Sequence, residues 1–218
     1  MFVLHAVPDF ASFVVHIVLE ELGLPYRLNL LDFDKGDLDS PEHRAVSPFG
    51  KIPALQTPDG PLFETAAILL WLADRHGALA PAVTDPDRAE FLSWYFRTNF
   101  ALHTGAMDLV HPYRALGEAA APALSQVAHD RLQTELTALE RLAARRPAWF
   151  SPDHPSILTY YVTMLLRWTA AFPFVPDHAI RLSAFPHVAA IAQAMEQRPA
   201  ALRAATVEGM SGTFFSNP

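Results

Sequence analysis

Along the first third of the chain the spacing of hydrophobic positions changes repeatedly, and each change marks an element. Phe2–Val7 (FVLHAV) is a short, bounded apolar run suited to a buried strand. Phe13, Val14, Ile17, Val18 and Leu22 then fall on one helical face, and Gly23 with Pro25 closes that helix. Tyr26, Leu28 and Leu30 alternate with Arg27 and Asn29, the period of a half-buried strand. Strand, helix and strand joined by short loops predict a right-handed parallel crossover. Next, "ALQT" and "LFE" flank the turn signal Pro58-Asp59-Gly60 and predict a hairpin. Thr65 opens a further helix that carries Ile68, Leu69 and Leu72 inward and stops at Gly77. Residues 1–77 therefore read as a βαβ unit followed by ββα.

From Asp85 onward only the helical period is present. Asp85 supplies an N-cap and Pro86 a proline at the first helical position. The pattern then runs through "DRAEFLSWYFRTNFALHTGAMDLV" for about seven turns. Leu124, Ala128, Leu132, Leu136, Leu139 and Ala143 mark a second helix. A third begins at Ser156, a good N-cap, and a fourth covers "HVAAIAQAMEQ". Arg198-Pro199 restarts a short fifth. Residues 78–84 (ALAPAVT) form the linker, so the expected organisation is an α/β domain over 1–77 and an all-helical domain over 85–218.

Composition narrows the classes of function. With 218 residues, half of them apolar and 18% charged, the chain has the length and balance of a globular protein with a sizeable core. A net charge of −7 argues against non-specific nucleic-acid binding, which needs a basic face. No apolar run approaches the roughly 18 residues that would span a membrane. The N-terminus lacks a basic region, and Pro8 and Asp9 break its apolar run, so no signal peptide is expected. The absence of cysteine excludes disulfides, thiolate metal sites and a cysteine nucleophile. A cytoplasmic protein is the expectation. His103 and His111 stand eight apart without a carboxylate on the same face, and the other histidines show no metal spacing, so no metal is expected either.

Two stretches carry candidate chemistry. In "SPFGKIPAL", Pro53 directly precedes a strand and suits a cis bond, which would turn the Ile52 backbone outward to pair with a ligand in strand fashion. An ordinary loop entering a hairpin fits the same residues. In "FETAAILLWLADRHG", Glu64 and Thr65 stand where a strand gives way to a helix. The helix N-terminus and the Thr65 hydroxyl favour a carboxylate, and Glu64 would attract an ammonium. One junction thus suits both ends of an α-amino acid, although a simple helix cap accounts for Glu-Thr as well.

In order and spacing these stretches resemble the glutathione transferase family, and the likeness extends over nearly the whole chain. It rests on "HIVLEELGLPYRL", "SPFGKIPAL", "LFETAAILLWLADRHG", "DRAEFLSWYF", "SILTYYVTMLLRW" and "FPHVAAIAQAMEQRPAALRAATVEGM". "LHTGAMDLVHP" and the terminal "RPAALRAATVEGM" are most similar to the bacterial beta class. The resemblance implies a thioredoxin-like N-terminal domain, an all-helical C-terminal domain and glutathione as substrate. It makes Glu64 and Thr65 binders of the glutamyl end, with Thr65 in a place usually held by serine. Ile52, held by a cis Pro53, would pair with the cysteinyl part, and Lys35 would reach the glycine carboxylate. Lys51 is a further candidate beside a solvated loop charge. His103 matches a histidine that faces the thiol region. Phe10, Met107 and His111 are candidates for an apolar cleft that takes an electrophilic second substrate, with core packing as the alternative for each. The family's habit of pairing subunits implies a homodimer.

The chemistry the resemblance demands is formation of a thiolate. Glutathione's thiol, with a pKa near 8.5, is only a few per cent ionised at neutral pH. Lowering that value by about two units takes roughly 2.7 kcal/mol of preference for the anion. A helix N-terminus contributes about 0.3–1 kcal/mol, and a hydrogen bond to a charged group about 1.5–3 kcal/mol. Beta-class proteins carry a cysteine before a serine in the loop concerned; here the pair is Ala11-Ser12, inside "VPDFASF". Ser12 is thus a candidate activator, with a plain N-cap role, backbone N–H donors or His103 as alternatives. Without cysteine no mixed disulfide with glutathione can form, so thiol–disulfide exchange is excluded. A transferase that conjugates glutathione to an apolar electrophile is the leading expectation. A glutathione-dependent isomerase, dehalogenase or lyase, or a non-catalytic binding protein of the same fold, stands as the alternative.

Overall fold

A computed structural model describes residues 1–218. Its elements, in chain order, are β1 (Phe2–Ala6), α1 (Ser12–Glu21), β2 (Tyr26–Leu30), α2 (Pro41–Arg44), β3 (Ala54–Thr57), β4 (Gly60–Phe63) and α3 (Thr65–His76). They are followed by α4 (Arg88–Arg97), α5 (Thr104–Val110), α6 (Tyr113–Leu116), α7 (Ala121–Arg145), α8 (Ile157–Ala171), α9 (Pro186–Glu196) and α10 (Pro199–Val207). The chain forms two compact units. One comprises Met1–Val83 with Arg198–Ser211, the other Thr84–Gln197 with Gly212–Pro218.

The first unit has a four-stranded mixed sheet in the order β2-β1-β3-β4. β1 pairs in parallel with β2, Phe2 opposite Tyr26, through the crossover the periodicity predicts. β3 lies antiparallel to β1 and to β4, which makes the predicted hairpin. This is the thioredoxin-like arrangement. α1 buries Phe13, Val14, Ile17 and Val18, and α3 buries Ile68, Leu69 and Leu72, all at or near zero exposure. α3 ends on Gly77 at φ 60°, a left-handed stop that glycine adopts without steric cost. Val15 and His16 are buried too, because α10 packs on α1. The buried face of α10 is Ala200, Ala201, Ala204 and Ala205, whose small side chains allow close approach. The segment that the sequence reading assigns to the helical domain therefore completes the first unit.

In the second unit Arg88–Val110 runs as one helical stretch, but its middle, Thr98–His103, widens into a π-helical turn between α4 and α5. The stretch starts two residues later than the Asp85-Pro86 pair suggests, with Asp87 as its N-cap. Asp85 instead accepts a bond from the Asp87 N–H at 2.8 Å, closing a turn ahead of the helix. α8 opens as expected at Ser156, whose hydroxyl accepts the Thr159 N–H while Thr159 accepts the Ser156 N–H, a full capping box. Gly105 on α5 faces Leu132 on α7, and a Cβ there would come within 3.0 Å of the leucine side chain.

Candidate active site

Strand register brings the predicted glutathione-binding residues of the first unit to one end of the sheet. β3 and β4 pair Ala54 with Phe63, so the Ile52–Pro53 step and the Glu64–Thr65 step continue side by side beyond the last pair. His5 of β1 is opposite Ala54, which brings the loop after β1 to the same end. The Ile52–Pro53 bond is cis, as expected. Pro53 is buried and Ile52 partly exposed. Glu64 is the N-cap of α3 at φ 72°, ψ 119°, a conformation that costs a non-glycine residue about 1–3 kcal/mol. Its side chain makes no capping bond and is exposed, while Thr65 is buried at the first helical position.

The loop from Val7 to Phe13 requires a correction. Ser12 has no exposed surface, and its hydroxyl donates to the Val7 carbonyl at 3.0 Å while accepting the Val7 N–H at 3.2 Å. Its hydrogen is spent inside the protein, so it is not presented as a donor to a sulfur. Nor is it the N-cap, a position held by Ala11 without a side-chain bond. Ser12 fastens the loop to itself across five residues. A second fastening comes from α10's end, where the Glu208 carboxylate accepts the N–H of Asp9 at 3.0 Å and meets His16 Nδ1 at 2.8 Å. Asp9 stands at φ 61°, so the turn is held from both sides. The residues that open α1, Ala11 to Val14, are buried, and the Phe13 N–H is donated to the Phe10 carbonyl at 2.9 Å. The other leading N–H groups of such a helix start have no intrahelical acceptor.

Lys35 is exposed and its Nζ pairs with Asp32 at 2.7 Å, which holds the ammonium pKa above its ordinary value. Lys51 is exposed as well, but its peptide is tied inward: the N–H to Ser47 Oγ at 3.0 Å, the carbonyl to His43 Nε2 at 3.2 Å. Phe10 leans on Phe33, ring centroids 5.6 Å apart, along an open groove of about 540 Å³. Val7, Pro8, Leu31, Asp32 and Asp34 also line it. Phe33 and His43 escape a sequence reading that looks only at strands and long helices. The serine-proline pair Ser40-Pro41, a helix-start signal, points to the single turn α2 that carries His43.

Within the second unit, His103 ends the π-helical turn. Tyr161 donates its hydroxyl hydrogen to Asn99 Oδ1 at 3.0 Å, so the 2.6 Å contact from His103 Nδ1 is donated by the imidazole. The ring is then the Nδ1–H tautomer, and Nε2 is the acceptor. Burial pushes its pKa down to about 4, so the ring is neutral at pH 7. Met107 on α5 is half-buried, and His111, just past the end of that helix, contacts the Tyr113 hydroxyl at 3.2 Å. Burial lowers the His111 pKa also. No group of three or more histidine, aspartate or glutamate side chains is arranged to hold a metal ion, and no helix is long and apolar enough to cross a membrane.

Residues 1–74 match the family described as Glutathione S-transferase, N-terminal domain. The chain is 30% identical over 208 residues to glutathione S-transferase GstA of Escherichia coli O157:H7, which covers 93% of this chain and 96% of that protein. Among solved structures, the sphingomonad glutathione S-transferase complexed with glutathione superimposes with a TM-score of 0.76 at 29% identity, over 96% of this chain and 100% of the other. The beta-class enzyme of Sphingomonas chungbukensis gives a TM-score of 0.76 at 26% identity with the same coverage.

Proposed function

This chain belongs to the glutathione S-transferase family, a family of transferase enzymes, and on that premise we propose that it binds glutathione in the first unit and adds its thiolate to an apolar electrophile. The observation that carries the reading is the meeting of the cis Ile52–Pro53 step with the strained Glu64–Thr65 step beside the loop after β1. Glu64 takes the glutamyl ammonium. Thr65 and the N-terminus of α3 take the glutamyl carboxylate, the Ile52 peptide pairs with the cysteinyl part, and Lys35 meets the glycine carboxylate. Exchanging Lys35's exposed pair with Asp32 for that contact is inexpensive. Lys51 contributes long-range attraction to a net anion. The Phe10–Phe33 groove takes the electrophile. The protein works in the cytoplasm as a homodimer, and a monomeric mass in solution would remove that part.

Activation of the thiol is assigned to the backbone N–H groups opening α1, since Ser12 is otherwise engaged. The same engagement favours a second reading, a glutathione-binding protein that no longer ionises its ligand. Absorbance of the bound thiolate, followed against pH, separates the two. A thiol pKa below that of free glutathione, with conjugation of at least one electrophile from a broad panel, is the expected result. An unshifted pKa supports the binding protein, and absence of glutathione binding defeats both.

A further inference from the structure

Beneath the Lys51–Pro53 segment lies a pair of buried histidines that the reading above does not use. His43 is fully buried and His5 is 4% exposed. Their Nδ1 atoms are 3.0 Å apart and their rings stack at 29°, centroids 5.2 Å apart. His43 Nε2 reaches the Lys51 carbonyl at 3.2 Å. A carbonyl only accepts, so that nitrogen carries the hydrogen. A neutral His43 then has a lone pair on Nδ1, and His5 must donate to it from its own Nδ1–H. Burial holds both rings below their ordinary pKa, His5 at about 4, which keeps the arrangement neutral and directional at pH 7. Asn29 Nδ2 lies 3.4 Å from the same His5 nitrogen, but it can only donate, so with the hydrogen on His5 Nδ1 the two are not bonded.

We infer that His43 is a positioning residue for glutathione, fixing the Lys51–Ile52 peptide from below, and that His5 fixes His43. His5 belongs to β1, which is paired on both sides in the sheet, so the chain of bonds begins on a rigid element. It passes through α2, a single turn of four residues that cannot hold itself by its own hydrogen bonds. Ser40 caps that turn at the His43 N–H, and the His43 carbonyl accepts the N–H groups of Val46 and Ser47. Ser47, itself 1% exposed, accepts the Lys51 N–H. Both polar groups of Lys51 are thus held by buried side chains whose positions depend on His43. The next peptide presents Ile52 to the ligand, and a rotation about Lys51 would turn that N–H and C=O out of register. A packing role alone would need an aromatic ring at 43 but no donor.

The inference rests on glutathione binding at Ile52, and the test keeps the two apart. Glutathione is titrated into the full-length protein, His43→Phe and His43→Gln, with each variant held well below its own unfolding midpoint. Phe fills the space without a donor; Gln restores an N–H near the place of Nε2. His43→Phe is expected to weaken glutathione binding about tenfold, the scale of one hydrogen bond, to raise the KM for glutathione, and to leave kcat at saturating glutathione near the wild-type value. His43→Gln recovers most of the loss. Equal weakening in both variants, or wild-type affinity in His43→Phe, overturns the inference alone. Failure of the wild-type protein to bind glutathione overturns the functional reading and this inference with it. Should His43→Phe not fold, the 15N resonances of the wild-type imidazoles decide: His43 protonated on Nε2 and His5 on Nδ1 support the inference, and His43 protonated on Nδ1 overturns it.

Discussion

At the scale of single residues, Ser12 and Glu64 reverse the weight their letters suggest. A serine in an active-site loop invites a catalytic role, yet this hydroxyl closes a two-way bond with Val7 and has no exposed surface. Ser12→Ala would leave the Val7 N–H buried without its partner, while the Val7 carbonyl keeps the Phe10 N–H at 3.2 Å, so a loss of about 1–3 kcal/mol in urea unfolding is expected. The thiol pKa of bound glutathione should stay where the wild type has it; a rise to the free value would return Ser12 to the catalytic list. Glu64 is the converse case. Its φ of 72° is one that glycine adopts without strain. Glu64→Gly should therefore unfold no more easily than the wild type, relief of strain offsetting the entropy cost of glycine of about 0.5–1 kcal/mol. Its glutathione affinity should fall at least about tenfold, as expected for loss of a charged partner. Calorimetric titration beside thermal unfolding reads both effects, and a variant that binds as before would remove Glu64 from the site.

Among elements, what was legible followed from period and caps. The order β1-α1-β2-β3-β4-α3, the Gly77 stop and the Ser156 cap all rest on local chemistry that a sequence displays, while the cis Pro53 followed from the family resemblance, since its loop alone also fits an ordinary entry into a hairpin. Three features rest on tertiary pairing and were hidden. The π-helical turn at Thr98–His103 interrupts a helix without glycine or proline to announce it. The short α2 depends on bonds from His43 rather than on its own length. α10 carries an alanine face that reads as weakly apolar, and only its packing on α1 assigns it to the first unit. Two kinds of charged contact hold α10 there, and they should differ in worth. Glu208 sits between His16 and the Asp9 N–H with its side chain 1% exposed, whereas Arg203 pairs with Glu20 at the surface. Glu208→Ala should cost about 3 kcal/mol or more, because it strands buried partners. Arg203→Ala should cost less than about 1 kcal/mol. Urea unfolding of the two variants decides, and equal costs would refute the distinction.

For the molecule as a whole, each unit holds one histidine that burial pushes down to about 4, His5 in the first and His103 in the second. In the unfolded chain both titrate near 6.5. Between those values the unfolded state binds more protons than the folded state, so stability falls as the solution is acidified from about pH 6.5 to about pH 4. Below pH 4 both states are protonated at these sites and the contribution levels off. Over that window each ring can withdraw on the order of 3 kcal/mol from its own unit. Carboxylates that the fold stabilises, Glu20 and Glu140 among them, have folded pKa values shifted down and add their losses at still lower pH. Amide hydrogen exchange resolves the units separately. Protection of amides in β1 and β3 should decline with pH in step with that in α5 and α8. His103→Asn, which keeps a polar side chain but removes the titrating ring, should flatten the decline in the second unit and leave the first unchanged. A decline in α5 and α8 as steep in His103→Asn as in the wild type would mean that some other group sets the acid sensitivity of that unit.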